Sequence, residues 1–175
     1  MKRTVYTFVL LIGSTTLLKA QTDFAKEYAP LLEKSFTMAT EVAEAMPENL
    51  YLYKPEKNAK TFAQQIIHST YVADVVIDLF VNGNPNRKFA EPDASKMSKA
   101  EVLAAIKTYA ESALANLNKV KEAELSEVVN LFGRFESSKK EVFYFVRDHL
   151  TNHRAKANLY IRIAGLQPPR YGYFD

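Results

Sequence analysis

The stretch SKKEVFYFVRDHLTNHRAKANLYIRIAG, residues 138–165, decides the fold. Ser138 followed three places on by Glu141 is a capping box, in which each side chain satisfies the other's free backbone N–H at a helix start. Val142, Phe145, Val146 and Tyr160 then recur at helical spacing as far as Ile163. Gly165 supplies the stop and Pro168-Pro169 forbids continuation. Inside this helix His149 and His153 stand four residues apart, one above the other on the same face.

Working outward, the same grammar recurs twice. Thr61 with Gln64 opens a helix that carries His68, Val72, Val75, Val76, Leu79 and Phe80 to a stop at Asn82-Gly83. Ser98 with Glu101 opens another, with Val102, Ala105, Ile106, Tyr109, Ala113, Leu114 and Leu117 on its apolar face and an end near residues 120–122. The first helix spans about Asp23 to Met46, with Pro30 either kinking it or marking where its firm part begins. Met46-Pro47 ends it, because the residue before a proline is pushed out of the α region.

Residues 47–60 read as an ordered loop, and residues 123–137 as irregular but too apolar to be wholly solvated. The polar segment 83–97 has the length of a crossover rather than of a tight turn. Four amphipathic helices without strand-like alternation predict an all-α four-helix bundle with one long crossover connection.

Composition bounds the function. The 175 residues suit one domain with a sizeable core. There is no cysteine, hence no disulfide, thiolate ligand or cysteine nucleophile. Lys2-Arg3, the apolar run Val5–Ile12 and a small residue at Ala20 have the layout of a secretory signal peptide. The domain reading is therefore a signal peptide at 1–20 and a bundle at 21–175, with export to the periplasm or beyond the cell. Cleavage removes Lys2, Arg3 and Lys19, which takes the formal net charge from +3 to 0. The charge thus gives no argument for nucleic acid or an anionic membrane surface, and no membrane insertion is expected after cleavage. No glycine-rich phosphate loop is present.

All three histidines of the chain lie in helices. Two on one face and a third from a facing helix could converge on one divalent ion and leave a tetrahedral position open. The bland alternative is three hydrogen-bonded helix residues. Leu150 follows His149, so the glutamate of the zinc-protease motif is missing. Gln64, one turn before His68, is weighed as a neighbour of such a site. Asp148 points about a hundred degrees away from His149, and Tyr71, Tyr144 and Tyr160 read as core or rim aromatics.

From Met46 onward the chain resembles the DinB family of bacterial four-helix bundles, which includes YfiT-like thiol transferases. MPENLYLYKP at 46–55 looks like that family's segment after helix one, and TFAQQIIH at 61–68 like its start of helix two. DHLTNHR at 148–154 matches its histidine element, and YIRIAGLQPP at 160–169 its closing segment.

The resemblance implies that His68, His149 and His153 are ligands of a divalent metal, zinc foremost, with nickel or iron as alternatives. It also implies thiol transfer or hydrolysis on a small electrophilic substrate, and a homodimer. The family's His-Arg-Gly-Gln is here His153-Arg154-Ala155-Lys156. A competing reading is a non-enzymatic exported binder of small molecules with a structural or vestigial metal site.

Overall fold

The computed structural model describes residues 24–172. The signal-peptide reading and the last three residues lie outside that range. Four helices form the body: α1 (Phe24–Ala45), α2 (Phe62–Val76), α3 (Lys99–Leu117) and α4 (Lys139–Ile163). All three capping boxes form, with Thr61, Ser98 and Ser138 each exchanging bonds with the residue three places on. Helix α1 runs on through Pro30, whose ring is exposed. Past α2 the chain widens into a π-helical turn at Ile77–Val81, where the Asn82 N–H reaches back to the Ile77 carbonyl. Helix α3 ends at Leu117, a few residues short of the expected end. At the close of α4 Ala164 is the cap and Gly165, at φ +79°, takes the left-handed position that follows it.

The helices pack in the cyclic order α1–α3–α2–α4. Near their ends Asn82 donates to the Asn116 carbonyl, and in mid-helix the Tyr71 ring meets Tyr109, so α2 and α3 run parallel. A parallel pair cannot be joined by a tight turn, which is why residues 82–98 traverse the length of the bundle. Conversely Gln65 and His68, early in α2, meet Tyr160 and His149 on α4, so that pair is antiparallel. The core between the helices is filled by Leu32, Met46, Phe62, Ile66, Ile106, Leu117, Phe143 and Ile161, all buried.

One element departs from the expectation. Residues 123–137 are not simply irregular: Val128–Leu131 (β1) and Phe135–Ser138 (β2) form an antiparallel hairpin. Its three-residue loop is Phe132-Gly133-Arg134, of which the first two are at positive φ (57° and 69°), closed by the Arg134 N–H on the Leu131 carbonyl. This left-handed pair suits the twist of a hairpin, and glycine takes it without strain. Phenylalanine does not, and only contacts elsewhere can hold it there. The Phe132 ring is seated edge-on against Phe80 and Phe89. A Phe-Gly turn lacks the Asn-Gly or Asp-Gly signal by which such hairpins are read from sequence.

Candidate metal centre

The antiparallel packing of α2 on α4 brings the three histidines together. The ring centroids of His68, His149 and His153 lie 4.7 Å (68–153), 5.1 Å (68–149) and 4.5 Å (149–153) apart. One ring nitrogen from each lies within 4.8 Å of the other two, within reach of a single ion. His153 is buried; His68 and His149 are half-buried.

Hydrogen bonds to two of the rings determine which nitrogen carries the proton. Glu91, from the crossover, has an oxygen 2.7 Å from His68 Nδ1. A carboxylate oxygen only accepts, so Nδ1–H donates, and in the neutral imidazole the Nε2 lone pair is the one left free. His153 is fixed by a longer relay. The Tyr160 hydroxyl donates to the Lys60 carbonyl and accepts from Gln65 Nε2, which turns Gln65 Oε1 towards His153 Nδ1 at 2.6 Å. Nδ1 of His153 therefore donates, and its Nε2 is again free. His149 differs: its Nδ1 is buried without a hydrogen-bond partner. A buried polar atom left without a protein partner carries a free-energy cost that a ligand would remove.

Electrostatics favour the neutral, ligating form. Burial, then the neighbouring His68 and Lys156, lower the His149 pKa to about 4, against a small opposing effect of the Ser69 backbone. Burial, then His149 and His68, lower that of His153 to about 3. At neutral pH both rings are uncharged, as imidazole ligands must be. Imidazole donors on converging helices, two of them oriented through the other ring nitrogen, fit a divalent ion of the zinc, nickel or ferrous type.

The crossover that brings Glu91 is itself anchored. Arg87 donates to the buried Asp74 on α2 and lies 3.9 Å from Asp78. Burial raises the Asp74 pKa, with Ser112 and Arg87 pulling the other way. The Tyr71 hydroxyl accepts from the Ala90 N–H and donates to the Lys88 carbonyl, and Phe89 packs on the Tyr71 ring.

The residues singled out from the sequence divide clearly. His68, His149 and His153 meet. Gln64 does not join them; its side chain closes the capping box on Thr61, and Gln65 takes the place beside the cluster. Asp148 faces away, lining a surface depression with Arg147, Thr151 and Arg154. Tyr144 is exposed and Tyr71 buried. Glu91, Gln65 and the role of Tyr160 had no local sequence signal, because each depends on which elements pack together.

An all-α bundle with histidines converging from two antiparallel helices is the class that this fold and site define. Residues 31–157 match the DinB superfamily, and the chain belongs to it. The fold is similar to that of a DinB-like protein (YjoA) from Bacillus subtilis, with a TM-score of 0.69 at 18% identity over 83% of this chain and 97% of the other. It is also similar to a DinB-like protein from Bacillus cereus ATCC 10987, with a TM-score of 0.67 at 12% identity over 83% of this chain and 95% of that one. No curated protein matches the chain. Among the described residues no helix is long and apolar enough to cross a membrane.

Proposed function

We propose that His68, His149 and His153 hold a divalent ion, zinc foremost, in an exported metal-dependent enzyme that performs thiol transfer or hydrolysis on a small electrophilic substrate. The observation that carries this reading is the pair of second partners, Glu91 on His68 and Gln65 on His153, which leave both Nε2 atoms free on neighbouring rings. A bound divalent ion would supply Lewis acidity and lower the pKa of a water or thiol at a remaining coordination position. The protein's own part is to hold the His68 and His153 imidazoles in one tautomer, to keep His149 and His153 uncharged, and to orient His68 through the crossover.

One observation favours the alternative of a non-enzymatic binder. Glu91 is already committed to His68 and is not spare to act as a base. Export to the periplasm or outside the cell and assembly as a homodimer belong to the same proposal.

The test begins with metal analysis of the purified protein. One equivalent of divalent ion is expected, together with a higher unfolding temperature on adding zinc or nickel. The triple variant H68A/H149A/H153A should fold yet lose both effects. A wild-type protein without metal, or a triple variant with an unchanged response to zinc, would sink the reading. Turnover across a panel of thiols, electrophiles and esters then separates enzyme from binder.

A further inference from the structure

Beside the histidines lies a second feature that the metal reading does not use. An apolar groove of about 380 Å³ runs between the hairpin and α4, lined by Leu131, Phe132, Phe135 and Phe145 together with Glu136 and Ser137. Its rings stand open to solvent: Phe135 is 62% exposed and Phe132 43%. Contiguous exposed aromatics of this kind are unfavourable in water unless something covers them.

Two walls of the groove lead directly to the histidine cluster. Phe145 lies one turn before His149 on α4, and the two ring centroids are 5.6 Å apart. Phe132 contacts Phe89, two residues before the Glu91 that holds His68. The groove therefore adjoins the cluster from two sides, through α4 and through the crossover. Phe132 adds an independent sign, since an aromatic residue is kept in the left-handed region at the tip of the hairpin. Backbone strain of that sort concentrates where a protein shapes a ligand site.

We infer that this groove receives the apolar, ring-sized part of a ligand whose polar end sits at the histidine cluster. Resting on the metal reading above, this narrows the substrate class to small molecules that join a metal-binding polar group to an aromatic or comparably bulky apolar substituent. The volume lies in the range of small-molecule sites, and the nearly unbroken hydrocarbon lining offers an extended charged substrate little compensation for desolvation. Phe135 and Phe145 become specificity-determining residues, with Phe132 fixing the width between them.

The probes are hydroxamic acids, which present one chelating head with different tails. Binding of acetohydroxamic and benzohydroxamic acid to the zinc-loaded protein is measured by calorimetry, with zinc content and unfolding temperature recorded for every variant. Benzohydroxamic acid should bind at least about tenfold more tightly, as expected when a ring leaves water for an apolar surface. F135S and F145S should each shrink that ratio, and the double variant should bring it close to one. Phe135 is exposed enough that F135S decides the matter alone if F145S does not fold.

Equal affinity for the two acids, or a ratio that survives F135S, overturns the inference while a normal zinc content leaves the metal reading standing. A protein that takes up no zinc fails the metal reading first and the inference with it. If F135S turns a dimer into a monomer and leaves the ratio unchanged, the groove seats a second copy of the chain and the inference is wrong.

Discussion

Two connections flank the histidine cluster, and opposite chemistry holds them in place. The crossover between α2 and α3 is fixed by polar contacts: Arg87 on Asp74, the Tyr71 hydroxyl between Lys88 and Ala90, and Glu91 on His68. The hairpin before α4 is docked by aromatic edges, Phe132 against Phe80 and Phe89, at the cost of a left-handed phenylalanine. Hydrogen bonds are directional, so the crossover can orient one ring nitrogen. Aromatic packing is less directional, so the hairpin can shape a surface but cannot select a tautomer. The two connections meet at Phe89, which touches both Tyr71 and Phe132.

Four substitutions put this contrast under strain. The largest effect is expected at the anchor of the crossover. R87A leaves the buried Asp74 carboxylate without its cation, and breaking a pair of this kind costs about 3 kcal/mol. Urea denaturation should show that loss, with a smaller one for D74N, whose neutral side chain carries no penalty for burying charge. If R87A unfolds at the wild-type midpoint, polar anchoring is not what secures the crossover.

Next comes the orienting carboxylate. E91A should weaken metal binding about 10- to 100-fold, the usual cost of removing a partner behind a ligating histidine. Competition with a chromophoric chelator reads this directly. Because Glu91 is half-exposed, the fold should be nearly unaffected, which separates orientation from stability. An unchanged affinity would place Glu91 outside the site.

The smallest effect is expected at the hairpin tip. F132G removes a left-handed penalty of about 1–2 kcal/mol but forfeits two ring contacts worth about 0.5–1.5 kcal/mol each. The terms nearly cancel, so thermal unfolding should place the variant within about 1 kcal/mol of wild type. A loss above about 2 kcal/mol would mean that the aromatic dock stabilises the molecule as strongly as the polar one, and the contrast would fail.

How far the sequence reaches can be seen residue by residue. Thr61, Ser98 and Ser138 mark helix starts correctly because a capping box is a contact over three residues, complete within the local chain. The spacing of His149 and His153 is equally local, and the length of segment 83–97 was sufficient to expect a crossover, which the parallel α2 and α3 require. His68 could be joined to that pair only through resemblance, since nothing within α2 says which helix it faces.

The hairpin has no local signal because its loop opens with Phe-Gly, stabilised by rings 43 and 52 residues upstream. Gln64 and Gln65 look interchangeable in the sequence, and only the antiparallel contact of α2 with α4 assigns one to the cap and the other to His153. By itself, then, the sequence determined the helices, their starts and the histidine pair, since these rest on interactions within a few residues. The tertiary structure decided the partners of His68 and His153, the ring nitrogens those partners leave free, and the groove beside them. Those depend on contacts between segments 23 to 95 residues apart, which exist only once the bundle has closed.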